Sequence, residues 1–230
     1  MAGSRLPLAV VAGSLAAFGV LAGLVASGAL HGLDGYALDH LMPGLKQENN
    51  DSSTALGSLI PLYGSSTGGR AWIRLAGDLV TLPGYIAVAT AAVGLYVVRL
   101  WRLGDRGGAL AWSALFVLGN VVEVVGKSTL TRDPLTVATA RGPVTLYGFD
   151  ASFPSGHALR GTFVLTAAAL VWPRARPLLA AWLGALLAML EVAGFHTPTD
   201  IAGGLLAAVA LLAAAPLVRR RGAQLLARRR

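Results

Sequence analysis

Six apolar runs, near residues 6–30, 75–98, 108–126, 157–172, 177–195 and 200–218, constrain this chain more than any other feature. About twenty helical residues cross the hydrocarbon core of a bilayer, and the runs approach or reach that length. With 55% hydrophobic and 13% charged residues and a mean hydropathy of +0.64, the chain is too apolar for an ordinary soluble domain. The expected fold is therefore all-α, an integral membrane bundle of six transmembrane helices forming a single domain over residues 1–230. The first run follows Arg5 and greatly exceeds the about 7–15 apolar residues of a secretory signal, so it reads as a retained anchor.

Residues 31–72 form the one long polar insertion, with Gln47-Glu48-Asn49-Asn50-Asp51-Ser52-Ser53 at its centre. It reads as an extramembrane loop with a short interfacial helix around Tyr36–Leu45. At the mouth of the second run, Arg74 and Asp78 are spaced to share one helical face, and Pro83 should bend that span.

The formal charge of +8 is not a nucleic-acid signature, because six of the nineteen basic residues lie in the last twelve positions (219–230), directly after an apolar run. A cytoplasmic tail against anionic lipid fits that placement. With the N-terminus cytoplasmic, twelve basic residues fall inside and seven (Lys46, Arg70, Arg74, Lys127, Arg132, Arg141, Arg160) outside. Richness in Ala, Gly, Leu and Arg suggests a bacterial source and hence a plasma-membrane protein, and the positive-inside rule puts both termini in the cytoplasm and the 127–157 loop and the 196–200 turn on the outer face. The chain has no cysteine, which excludes disulfides, thiolate nucleophiles and thiolate metal sites.

Two polar stretches interrupt this pattern where helices should begin. One is Phe153-Pro154-Ser155-Gly156-His157-Ala158 and the other His196-Thr197-Pro198-Thr199-Asp200. Unpaired amides at a helix start, with the positive end of its dipole, make a site for an anion such as phosphate. Lys127 and Arg132 lie in the loop leading to Ser155, where two cations hold a phosphoryl group and neutralise charge developing on its oxygens. His157, in the first helical turn, is placed to give a proton to a leaving oxygen. His196 with Asp200 four residues on forms a nucleophile and its orienter, since a carboxylate accepting one ring N–H frees the other nitrogen to attack. Singly, each residue has an ordinary explanation: a polar cap, a helix N-terminal acid or a snorkelling lysine. Together on one face they point to a shared site for phosphoryl transfer.

The tetrapeptide Pro154-Ser155-Gly156-His157, the pair His196 and Asp200, and the upstream Lys127 resemble the three signature motifs of the type 2 phosphatidic acid phosphatase superfamily, in its membrane-bound lipid phosphatase branch. The resemblance implies that His196 forms a phosphohistidine, that Asp200 is its partner and that His157 is the acid. It also implies that Lys127, Arg132, Ser155 and Gly156 cradle the phosphate, and that no metal or other cofactor is needed. Two motifs depart from the family pattern. The first motif's arginine slot, seven residues after Lys127, holds Pro134, with Arg132 two positions early, and the third motif's serine and arginine slots hold Met189 and Leu190. Arg160, one turn beyond His157, is the favoured replacement for the lost guanidinium, with Arg141 the second candidate. The competing reading of Arg160 is a pair with Glu191 or Glu123. Glu123, four residues before Lys127, should hold that lysine in place.

The resemblance implies hydrolysis of a lipid phosphate, and because the site is expected to face outward, polyprenyl (undecaprenyl or decaprenyl) diphosphate is the leading substrate at the outer leaflet. Phosphatidylglycerophosphate and phosphatidic acid are the alternatives. A non-catalytic lipid-phosphate binding or transport protein is the reading from another class. The partners expected are the lipid phosphate and membrane lipids, with no nucleic acid and no obligate protein partner.

Overall fold

A computed structural model describes residues 5–41, 77–139, 142–146, 151–192 and 195–227. Helix α1 (Arg5–Ala26) ends in a turn at Gly28, whose φ of 73° lies in the left-handed region that glycine adopts without strain, and the chain re-enters helix as α2 (His31–Leu41). A short helical segment, Gly77–Gly84, is followed by α3 (Ile86–Arg102). The two are bent by 52° at the break next to Pro83, in agreement with the expected kink. Helix α3 closes at Gly104, with φ of 80°, and Asp105 starts α4 (Arg106–Thr129) by accepting a hydrogen bond from Gly108 N at 2.9 Å. These are a glycine stop and an acidic N-cap.

The segment after α4 carries an antiparallel hairpin, β1 (Leu135–Thr139) with β2 (Gly142–Leu146), in which Leu135 pairs with Leu146 and Val137 with Val144. The all-α expectation thus holds for the bundle but not for this loop, where β-branched Val137, Thr139, Val144 and Thr145 favour strand. Three helices complete the described chain: α5 (Gly156–Val171), α6 (Arg176–Val192), preceded by a 3-10 turn at Pro173–Ala175, and α7 (Pro198–Ala227).

Four helical stretches are long and apolar enough to cross a membrane, Arg5–Ala26, Arg106–Thr129, Pro173–Val192 and Pro198–Arg219, and the bent pair makes a fifth. Of the six expected spans, the one at α5 falls short at 16 residues, because Trp172 and Pro173 end it early. Arg74, Arg141 and most of the 31–72 insertion lie outside the described residues. The described part of that insertion is α2, which overlaps the expected interfacial helix but starts earlier.

The core lies where α3, α4, α5 and α7 meet. Phe163 is fully buried, with its ring edge-on to Trp112 at 5.9 Å and to Phe116 at 5.7 Å between centroids. Such aromatic pairs add to the burial of apolar area. Much of the remaining apolar surface is exposed, including Leu6, Leu95, Val124 and Leu178. Such an apolar outer surface is compatible with a bundle immersed in lipid. The chain before α5 is seated by close approaches: Phe153 packs on Phe18 of α1 at 5.6 Å, and the Ser155 carbonyl lies against Gly204 of α7. A methyl group at position 204 would overlap that backbone oxygen. Gly204→Ala is therefore expected to destabilise the protein by about 1–3 kcal/mol, read as a lower thermal midpoint in detergent; an unchanged midpoint would show that the two helices separate freely.

Candidate active site

The starts of α5 and α7 lie side by side, and sequence chemistry explains both. Ser155 caps α5 by accepting from Ala158 N at 3.2 Å, while its own amide donates to the Asp200 carbonyl at 2.9 Å and ties the two helix starts together. Pro198 opens α7, the position where a missing N–H costs nothing. Thr197 and Asp200 form a reciprocal cap: Asp200 N donates to Thr197 Oγ1 at 3.3 Å and Thr197 N to Asp200 Oδ2 at 3.1 Å. The ordinary helix-capping role of Asp200 is therefore real, and the same carboxylate also faces His196.

The rings of His157 and His196 stand 5.9 Å apart between centroids. His196 Nδ1 lies 3.7 Å from Asp200 Oδ2. That is longer than a formed hydrogen bond, and Nδ1 is buried with no hydrogen-bond partner. Catalytic hydrogen bonds are often long before substrate arrives. Tyr85, at the break before α3, packs edge-on against His157 at 4.9 Å.

Two ionic clusters flank the histidines. In the first, the Glu123 carboxylate receives Lys127 Nζ at 2.8 Å and the Arg160 guanidinium, which bonds it through Nη1 and reaches it from Nη2 at 3.5 Å. Arg160 also donates to Asn120 Oδ1 at 3.2 Å and to the Gly84 carbonyl at 2.7 Å. The helix break at Pro83 frees that carbonyl. The Glu123 carboxylate lies so close to Gly156 that a Cβ there would overlap it. The anion beside the α5 amides in this structure is thus the protein's own. Glu123 holds Lys127 as expected from their spacing, and Arg160 adopts the competing pairing with Glu123. Glu191, the other carboxylate weighed for that role, is buried with neither oxygen hydrogen-bonded.

In the second cluster Arg132 is buried between two acids. Its Nη1 donates to Asp34 Oδ2 at 2.5 Å, and its Nη2 bonds Asp200 Oδ1 and Ser152 Oγ, the latter at 3.0 Å. Ser152 in turn donates to Asp200 Oδ2 at 2.7 Å. Arg132, expected in the phosphate cradle, is engaged in this structure with Asp34 and Asp200. Burial raises the Asp34 carboxyl above its usual range; hydrogen bonds from Thr199 and the Arg132 charge offset this only in part. Among the described residues no group of three or more His, Cys, Asp or Glu is disposed to hold a metal.

Ser155, Gly156, His157, His196 and Asp200 thus meet at one end of the bundle, with Lys127 and Arg160 within electrostatic reach of His157. The residues not anticipated are Asp34, Asn120, Ser152, Thr197 and Thr199. Asn120 had a readable signal, since Asn120, Glu123 and Lys127 recur at helical spacing on one face of an apolar span. Asp34 had none, being 98 residues from Arg132 in a stretch read as loop.

A helical bundle with paired histidines, a carboxylate and a lysine at two apposed helix starts brings together the groups that phosphoryl transfer through a histidine requires. A family model described as PAP2 superfamily matches residues 108–222, and the chain belongs to that superfamily. No curated protein and no solved structure matches the chain.

Breaking a buried ion pair leaves an uncompensated charge, at a cost of about 3–5 kcal/mol. Glu123→Ala is expected to lose stability on that scale. The double variant Glu123→Met with Arg160→Met should lose less than Glu123→Ala alone, as measured by denaturant unfolding in detergent; a loss equal to the sum of those of Glu123→Met and Arg160→Met singly would show that the pair is not coupled.

Proposed function

We propose that this protein is a membrane lipid-phosphate phosphatase that works through a phosphohistidine. The observation that carries the reading is the apposition of the His157 and His196 rings, 5.9 Å apart, at the shared start of α5 and α7. One phosphoryl group held between them meets a nucleophile on one side and an acid on the other. His196 Nε2 attacks phosphorus while Nδ1–H closes on Asp200; the P–N bond forms as the P–O bond to the leaving group breaks, a phosphoanhydride in a lipid diphosphate and an ester in a lipid monophosphate, and His157 gives its proton to the leaving oxygen. Water then attacks the phosphohistidine, His157 takes its proton, and inorganic phosphate leaves with His196 restored. Lys127, Arg160 and the first amides of α5 at Gly156 and His157 hold the equatorial oxygens, with Ser155 capping those amides. The chemistry requires no metal.

For phosphate to reach those amides the Glu123 carboxylate must yield Lys127 and Arg160 to it. A dianionic or more highly charged phosphoryl group competes better for two cations than one carboxylate does. The substrate we favour is a polyprenyl diphosphate such as undecaprenyl or decaprenyl diphosphate, followed by phosphatidylglycerophosphate and phosphatidic acid. An apolar bundle lets the tail stay in the bilayer during reaction.

We further propose six spans in a bacterial plasma membrane, with α5 the short one, both termini cytoplasmic and the site outside. The support is the charge distribution: Arg99, Arg102, Arg106, Arg174, Arg176 and Arg219 cluster around the turns opposite the site, where Arg219 reaches Asp105 at 3.1 Å. The chain has no cysteine, so single cysteines report topology cleanly. An exposed Thr131→Cys should react with an impermeant maleimide in intact cells and Leu103→Cys only after permeabilisation; the reverse pattern would turn the site to the cytoplasm.

The existing ion pairs of Arg132 and Arg160 favour one second reading, a protein that binds lipid phosphate without cleaving it. Purified protein assayed with added chelator on polyprenyl and glycerol lipid phosphates separates the two. Steady phosphate release that falls at least about 10⁴-fold in His196→Ala is expected. Binding without release by the unaltered protein would establish the second reading instead.

A further inference from the structure

Resting on the phosphatase reading, we infer that Asp34 is a positioning residue for the His196–Asp200 pair, acting through Arg132 and Thr199 from a helix outside the family-matched segment. Asp34 lies on α2, and its residue is only 1% exposed. Its Oδ2 accepts from Arg132 Nη1 at 2.5 Å and from Thr199 Oγ1 at 2.6 Å, and its Oδ1 from Thr199 N at 3.3 Å. Thr199 stands between the capping threonine and Asp200 in the first turn of α7. The carboxylate therefore satisfies one of the helix's open amides and fixes the turn that carries the orienter.

Arg132 completes the connection. Its two terminal nitrogens are divided between acids on different elements, Nη1 on Asp34 of α2 and Nη2 on Asp200 of α7. A guanidinium with a single carboxylate in reach takes it in a two-pronged grip. Asp34 prevents this by occupying one prong, so that Asp200 gives Oδ1 to Arg132 and keeps Oδ2 turned to Ser152, the Thr197 amide and His196 Nδ1. Without Asp34, Arg132 closes both prongs on Asp200 and draws Oδ2 away from the imidazole. The 3.7 Å gap to Nδ1 then widens when it has to shorten. Neither Asp34 nor the present place of Arg132 belongs to the family's motif pattern, so this brace accompanies the chain's departure from that pattern.

The test uses the full-length protein in detergent, with Asp34→Asn as an isosteric neutral variant. Misplacement of about 1 Å costs about 10²-fold. The expected result is a folded protein whose kcat on lipid phosphate falls by about that factor while KM changes less than about threefold. In protein labelled with ¹⁵N-histidine, the His196 ring signals should move. A folded Asp34→Asn variant with unaltered kcat, or with unmoved His196 signals, overturns the inference. If Asp34→Asn does not fold, Thr199→Ala is read in its place: the same kcat loss is expected, and unaltered kcat overturns it. An unaltered protein that releases no phosphate sinks the phosphatase reading, and the His196 signals of Asp34→Asn then decide the positioning role alone.

Discussion

Two buried guanidiniums govern how the rest of this structure is arranged. An arginine taken out of water costs several kcal/mol unless carboxylates and carbonyls meet it, and the bundle meets both at the end where the functional groups lie. Arg160 is held by Glu123, Asn120 and the carbonyl freed at Gly84. Arg132 is held by Asp34, Asp200 and Ser152. Each set draws on elements far apart in the chain, so satisfying the charge and bringing α2, the bent segment before α3, α4, α5 and α7 to one place are the same event.

The two clusters have different consequences for chemistry. The Glu123 cluster sits against the first turn of α5, where a phosphate would be expected, and stores two cations on an internal anion. Electrostatic readiness of this kind keeps the cations in place without leaving bare positive charge in an apolar surrounding. The Arg132 cluster engages Asp34, Ser152 and Asp200, the carboxylate that faces His196. One guanidinium therefore lies with Glu123 against the start of α5 and the other holds Asp200 at the start of α7, whereas spacing along the chain put Arg132 in the phosphate cradle.

Much of this was legible in the sequence. The apolar runs named the helices, because an unbroken apolar stretch of about twenty residues satisfies its backbone most readily as a helix, and Pro83 marked the bend. Ser155 with Gly156, and Thr199 with Asp200, marked two helix starts through local chemistry that depends on neighbours within four residues. The spacing of Glu123 to Lys127 gave their pair. The hairpin at residues 135–146 was passed over, since a short alternation inside a polar connection carries a weak signal beside runs of twenty apolar residues. Arg160 was placed near the right helix start, but its choice of Glu123 depended on how α4 rotates against α5.

Local order therefore belonged to the sequence by itself: a helical, strongly apolar chain, the two helix starts, the histidines and the aspartate beside them, and the family those motifs indicate. Each follows from contacts within a turn or two, or from hydropathy, which needs no partner. Tertiary structure alone decided which carboxylate each arginine takes, the joining of Ser155 to Asp200, and the entry of Asp34 from α2. A buried charge is satisfied by whatever the packed helices bring within about 3 Å, and no spacing along the chain encodes a meeting across 98 or 165 residues.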